Sequence, residues 1–450
     1  MKRNKKNLIH YITISALLLT LHPGGNAYAA EGTGEPQSPT GQPTELSIMY
    51  SGADVTWVAG MEELCEEFME QNPDVIIHTE NSAGATCENE LKVKEALNEF
   101  PDIFELEDVK PFREAGKVGE IGEKVSRMVS DPVVYEDKVY GLPVYATTNG
   151  IIYNKNIFKK YGLEIPEDYE GFLKLCDTLR DKGVTPLALG GSQEEEMLYW
   201  LNYFFQKDVI SGTPDWLEQR TAGKVSFSDP EFLEALRDYQ ELLGRDYFLE
   251  DSAYMTENQL VVKMVDNQFA MVYAGPWLFS KIIDAYPMSV ELDRTELGEE
   301  IAQEDDPVTY RIGWFFLGDD RGKSVVLTEN KAYWSVSADC MKDAKKKEAA
   351  EEFLTFFYTK KNYRSIIQGM YGLPVTTEAI IYPAHSAQQK LLKDYRYADK
   401  STVYLGSTGA KGEFLEDTNT ILGGLYRGEY GVEKAAEAMD EAWSRAMEVE

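Results

Sequence analysis

Apolar residues recur along this chain in two alternating rhythms. Met61, Leu64, Cys65, Phe68 and Met69 stand three to four apart, the spacing of one helical face. The short apolar run Leu46–Tyr50 before them predicts a strand, closed by the turn Ser51-Gly52-Ala53-Asp54. Pro73 ends the helix, Val75–His78 reads as a second strand, and a helix from Glu88 to Asn98 leads to Pro101-Asp102-Ile103-Phe104.

The pattern is clearest between Gly141 and Gly191. Val144–Ile152 is extended by composition, with Gly150 its one weak point. Asn154–Tyr161 is a short helix stopped by Gly162. Pro166 opens the next element with Asp168 as its cap; Phe172, Leu175, Cys176 and Leu179 follow at helical spacing, and Gly183 ends it. Val184–Leu189 is then a buried strand that Gly190-Gly191 turns away.

The alternation continues through helices at Tyr199–Phe205 and Pro230–Leu243, with acidic Glu194-Glu195-Glu196 suited to a solvated helix start. Gln268–Trp277 reads as a strand ending in Gly-Pro. Ile312–Leu317 and Ser324–Leu327 are strands. Lys345–Phe357 is an amphipathic helix burying Ala350, Phe353, Leu354 and Phe357, and Asn362–Met370 is another. From Ala379 onward the chain reads as helical. Phe414 precedes a helix ending near Gly423-Gly424, and Ala435, Met439, Ala442 and Trp443 form the last core stripe. Such alternation defines an α/β protein, and no internal repeat is visible.

The 450 residues suggest two or three domains, and 43% hydrophobic and 12% aromatic content can fill real cores. Net charge is −32. Residues 1–30 carry Lys2, Arg3, Lys5 and Lys6 and no acids, so the remainder stands near −36. Nucleic acid and anionic membrane both need a basic footprint, so neither is an expected partner. Residues 1–30 have the form of a secretory signal: a basic start, an apolar core from Tyr11 to Leu21, and Ala27-Tyr28-Ala29 before Ala30. The apolar run is too short to span a membrane. Residues 31–44, EGTGEPQSPTGQPT, are a linker, disordered by composition.

Several motifs together resemble the extracellular solute-binding proteins of ABC importers, in the carbohydrate-binding cluster that includes maltose-binding protein. They are Tyr153-Asn154-Lys155 with Gly162-Leu163 and Pro166 behind, Gly183-Val184-Thr185-Pro186, Ala270–Trp277 (AMVYAGPW), and Gly372-Leu373-Pro374 after an amphipathic helix. The resemblance implies two α/β lobes joined by a multi-strand hinge around a central cleft. Residues 45–144 with 335–378 would form the first lobe, and 145–334 with 379–450 the second. Many members from single-membrane bacteria carry a lipidated cysteine behind the signal; here the first cysteine is Cys65. Export to the cell surface or periplasm is expected.

Ligands in open α/β sheets sit at the carboxyl ends of strands. Asp54 and Trp57 after the first strand, and Glu107 and Asp108 after the third, are therefore candidates for polar and stacking contacts. Trp277 is the leading binding residue, since a flat indole matches the apolar face of a sugar, and the resemblance assigns the tryptophan of this motif to that stacking. Tyr145 lies on the first lobe crossing. Asn330–Val336 resembles the second, where an Asn-rich turn precedes an aromatic; Asn330 and either Tyr333 or Trp334 would flank the cleft, with Tyr333 favoured. Tyr371 to Pro374 would form the third crossing. Trp200, shortly after a loop that borders the ligand in the family, and Phe414, at a family contact position, complete the set; for Trp200 core packing is the stronger expectation.

Nothing in the sequence positions catalysis. Only His78 and His385 lie beyond the leader, and no nucleophile-elbow, HExxH or phosphate-loop pattern appears. Cys65, Cys87, Cys176 and Cys340 lack zinc spacing, so no metal or cofactor is expected. Cys65 and Cys87 could bridge in an exported protein, or remain buried thiols. The resemblance implies a monomer that captures a sugar, with several aromatics favouring an oligosaccharide, and delivers it to membrane permease subunits. A surface receptor feeding a sensor kinase and a secreted carbohydrate-active enzyme are the other readings. The acidic segment 288–311 matches no motif.

Overall fold

The computed structural model describes residues 42–448 apart from 53, 84–85, 190–195, 286–310, 381, 383 and 407–412. The leader, nearly all of the linker, and the acidic segment up to residue 310 lie outside the described residues.

Two sheets organise the chain. The first is founded by β1 (Thr44–Tyr50), β2 (Val75–Asn81), β3 (Ile103–Leu106), β4 (Val133–Tyr135) and β5 (Lys138–Thr148). The second holds β6 (Gly150–Asn154), β7 (Leu187–Ala188), β8 (Met271–Ala274) and β9 (Ile312–Phe315). The chain then returns to the first sheet with β10 (Val326–Val336), beside which lies β11 (Lys400–Ser401). The strand orders are β2-β1-β3-β10-β5-β4 and β7-β8-β6-β9. β1 runs parallel to β2 and β3, while β10 is antiparallel to both β3 and β5. In the second sheet β6 is antiparallel to its neighbours β8 and β9, and β7 is parallel to β8.

Strand alternation sorts the side chains into three cores. On β6, Ile152 joins a cluster that continues into the first sheet, and Ile151 joins one beneath the helices of the second sheet. On β1, Ile48 and Tyr50 face the first cluster, and Met49 faces a smaller one with Leu91 and Phe104. Cys65 lies in the first cluster and Cys87 in the smaller one, on opposite sides of that sheet. All four cysteines are buried and free, so the Cys65–Cys87 bridge does not form.

Local chemistry sets the helix ends. The Asn154 side chain accepts from the Asn156 and Ile157 amides, and Gly162 closes that helix at φ +62°. The Asp168 side chain accepts from the Gly171 amide at 2.7 Å and opens Tyr169–Asp181.

Several elements differ from the sequence expectation. Gln268–Trp277 is strand only over Met271–Ala274, and Trp277 begins a helix. The extended run 144–152 breaks at Asn149 into β5 and β6. β7 is shorter than Val184–Leu189. The helix Glu196–Phe204 continues as a π-helix to Ile210, where the Lys207 ammonium finds Asp208 and Asp238. The helix Glu413–Tyr426 contains Phe414 and runs through Gly423-Gly424. The turn expected at Asn330 is absent, because that segment is the middle of β10, hydrogen-bonded to β5 and then also to β3. The disturbance is confined to Ala332, at φ +56°, where the pairing with β5 lapses for one residue.

Among the described residues three passes of chain link the sheets, at Asn149, between β9 and β10, and after Leu373, besides the short return of β11 to the start of β10. Leu373 exchanges two backbone hydrogen bonds with Ala146 of β5 before the chain reaches helix Ser386–Tyr397, which packs on β9. No helix among the described residues is long and apolar enough to cross a membrane.

Candidate ligand-binding cleft

The carboxyl ends of β1, β3 and β8 converge, with the middle of β5 and β10, on one cavity of about 470 Å³. That position is where an open α/β sheet leaves backbone and loops free to meet a ligand, and the volume lies within the range of small-molecule sites.

Trp277 forms one wall. β8 stops at Ala274, Gly275-Pro276 turns the chain, and Trp277 starts the helix Trp277–Ala285. The indole folds back over Gly275 so closely that a Cβ there would sit 1.6 Å from ring atom Cζ3. Only glycine leaves that space. The indole Nε1 donates to Glu257 Oε2 at 3.0 Å, and the Lys281 ammonium, one turn along the same helix, pairs with the other oxygen. Glu257 is the first residue of helix Glu257–Val265, whose start is fixed by a capping box between Thr256 and Gln259. The carboxylate thus answers the helix dipole, the ammonium and the indole together. Tyr199 meets the Trp277 ring edge to face at 5.8 Å.

The opposite wall belongs to the first sheet. Asp54 caps the helix Val55–Gln71, accepting from the Thr56 amide at 2.7 Å and the Trp57 amide at 3.1 Å. Trp57 is only 2% exposed and packs against Tyr50, Trp334 and Phe357, so it offers the cavity an edge and no open face. Glu105, on β3, accepts from the Ser51 amide at 3.1 Å. The Trp57 indole N–H stands near the same carboxylate without good hydrogen-bond geometry. Burial lifts the Glu105 carboxyl to about 7, with Glu88 and Glu107 adding to the rise and the Ser51 amide opposing it. Burial, helped by Glu105, pushes the Tyr145 hydroxyl up to about 12. On β10, Lys331 pairs with Glu329 at 3.1 Å, and the Tyr404 hydroxyl donates to Glu329 at 2.6 Å. Tyr371 and Gly372 supply the floor beside Tyr145.

Of the sequence-derived candidates, Trp277, Asp54, Trp57 and Tyr145 line this cavity, as does Glu107. The structure puts the others elsewhere. Trp200 is 1% exposed and lies 4.7 Å from Tyr273 and 6.0 Å from Phe172, ring centre to centre, in the second core. Its neighbour Tyr199, about 100° round the helix, reaches the cleft instead. Phe414 is fully buried between Phe227 and Trp443. Tyr333 packs on the smaller core behind the first sheet and Trp334 on the main one, so neither faces the cavity. Asn330 pairs with β5 through its backbone and bonds the Tyr333 side chain. Asp108 accepts from the Lys110 amide at 3.0 Å, two residues on, in the turn before the helix Lys110–Glu114.

Glu105, Tyr199, Glu257, Lys281, Glu329, Lys331 and Tyr371 also line the cavity and were not among those candidates. For Glu257 a signal existed: Thr256-x-x-Gln259 marks a helix start facing the strand end. Nothing in sequence links Glu257 to Lys281.

Two α/β sheets joined by three passes of chain, with a deep aromatic and polar cleft at their strand ends, define a two-lobed ligand-binding protein. Residues 54–364 match the family described as bacterial extracellular solute-binding protein. The chain belongs to that family. It is 24% identical, over 84% of this chain and 86% of the other, to the multiple sugar-binding protein of Streptococcus mutans serotype c. It is 21% identical to the melibiose/raffinose/stachyose-binding protein of Bacillus subtilis (strain 168), over 50% of this chain and 54% of the other. Its fold matches a solved chitin oligosaccharide binding protein with a TM-score of 0.72 at 19% identity, covering 90% of this chain and 99% of that one.

Proposed function

We propose that this protein is the extracytoplasmic component of an ABC importer that captures a carbohydrate, an oligosaccharide in preference to a monosaccharide, and hands it to membrane permease subunits. The observation that carries the reading is the Trp277 indole, braced by Gly275 behind and Glu257 at its edge, lining a cavity that also offers Asp54, Glu105 and Tyr145 as polar partners. Sugars present apolar C–H faces ringed by hydroxyls, and an aromatic plane with carboxylates around it matches both. The names of the relatives support the sugar class. The lobes are assigned as 45–144 with 335–378 and 145–334 with 379–450, hinged at the three passes. Contacts made only when the lobes meet would draw the protein closed around its ligand. The protein acts as a monomer and performs no chemistry on the sugar.

Titration calorimetry against raffinose, stachyose, maltotriose and a chitin trisaccharide tests the reading. Heat of binding from at least one, with no product formed on long incubation, is expected. Silence from a full saccharide panel, or turnover of any sugar by pure protein, would overturn it.

A further inference from the structure

The charge of the cleft is lopsided. Among the described residues, five carboxylates line it (Asp54, Glu105, Glu107, Glu257 and Glu329) against two lysines, Lys281 and Lys331, and no arginine. Both lysines hold carboxylates already present: Lys281 pairs with Glu257, and Lys331 with Glu329 at 3.1 Å. A ligand carboxylate or phosphate would need a bidentate guanidinium or an uncommitted ammonium, and the lining residues offer neither. The available donors are of another kind. The indole N–H of Trp57, a residue 2% exposed at the cavity wall, has no hydrogen-bond partner of good geometry, and Thr147 at the end of β5 and Asn149 on the link to β6 line the cavity. These suit hydroxyls, which donate to a carboxylate and accept from an N–H at once.

Resting on the carbohydrate reading above, we propose that the cleft sorts saccharides by charge, admitting neutral ones and turning away those bearing carboxylate, sulfate or phosphate, with Glu105 as a specificity-determining residue. Glu105 sits at the end of β3, fixed by the Ser51 amide at 3.1 Å. The groups that bear on it are Glu88 from the helix Glu88–Leu97, Cys87 before that helix, Glu107 beyond the strand, Trp57, and Tyr145 from β5. Among these are two further carboxylates and no cation; on the neighbouring strand β10, Lys331 faces the same cavity and is paired with Glu329 at 3.1 Å. Closure on an anionic sugar would bury a second negative charge beside an existing one, and like charges at short range in a poorly hydrated site repel strongly. Closure on a neutral sugar gives Glu105 a hydroxyl donor instead. The Glu105 carboxyl rises to about 7, so its charge is lost as pH falls below that value. A sugar carboxylate keeps its charge there, near the ordinary carboxylate range.

The test compares raffinose, stachyose and maltotriose with the same oligosaccharides oxidised at C6 to carboxylates, by calorimetry on the full chain at pH 8 and pH 6. For any neutral member that binds, its oxidised form is expected to bind at least about tenfold more weakly at pH 8. The gap should narrow severalfold at pH 6 and at high salt. Glu105→Gln should narrow it at pH 8 and remove its dependence on pH; circular dichroism confirms that the variant is folded. Glu107→Gln, at a more exposed position, provides a second reading in which the gap narrows without the pH response changing. An oxidised form binding as well as its parent, or a gap untouched by Glu105→Gln and by pH, overturns the inference and leaves the carbohydrate reading standing. Binding by no saccharide, neutral or oxidised, overturns that reading and this inference with it.

Discussion

Trp277 shows how much a proposed binding residue depends on its surroundings. Its indole is held in one orientation by a glycine it covers and a carboxylate it donates to. Trp277→Ala is expected to weaken saccharide binding by ~1–3 kcal/mol, the range of truncated anchors; unchanged affinity by calorimetry would remove it from the site. Glu257→Leu, which fills space but accepts nothing, should cost about 1 kcal/mol of affinity, and Glu257→Gln, which still accepts from the indole, should recover most of it. Equal losses in the two variants would mean that the hydrogen bond is not what positions the ring. Glu105 makes a separate prediction about stability. Its folded value of about 7 lies above the ordinary 4.5, so the folded state binds the proton more tightly. The resulting stability is fully present below the unfolded value and is lost as pH rises through 7. Glu105→Gln should therefore be more stable than the parent at pH 8, by about 1–2 kcal/mol after allowing for partial exposure, and no more stable at pH 4. A constant difference in melting temperature across that range would contradict it.

At the scale of elements, caps and turns carry both stability and function. Asp54 joins the two: it closes the first turn of the helix Val55–Gln71 and lines the cleft. Asp54→Ala should cost about 1 kcal/mol of stability, the usual price of a lost cap, and also reduce affinity; Asp54→Ser should restore the first without fully restoring the second. Urea unfolding and calorimetry on the same samples separate the outcomes. Element positions were legible in sequence where local chemistry decides them. Asn154, Gly162, Asp168 and Gly183 mark their helix ends because a side-chain cap or a left-handed glycine acts within a few residues. The elements that differ are those decided by distant partners. β10 runs straight through Asn330 because β5 holds it there and β3 joins from Tyr333 onward. The π-helix from Phe205 to Ile210 places Lys207 among Asp208, Asp238 and Asp320, which come together only in the fold.

Across the whole molecule, the α/β class and the gathering of strand ends were readable, since both follow from alternation and topology. Half of the candidate site was not. Trp200 and Tyr199 are adjacent in sequence, and only the packing of their helix on Tyr273 decides that the tyrosine faces the cavity. Tyr333 and Trp334 alternate as strand residues should, but both faces of that strand are covered by core at this point. The cleft also draws Glu257, Tyr371 and Glu105 from segments more than a hundred residues apart. A site assembled this way, between two sheets connected by three passes of chain, would change width on the proposed closure. Small-angle scattering with and without a saccharide already shown by calorimetry to bind tests that most directly. A smaller radius of gyration is expected in the bound state for the parent, and a curve nearer the unbound one for Trp277→Ala at the same sugar concentration. Superimposable curves from free and fully saturated protein would contradict it.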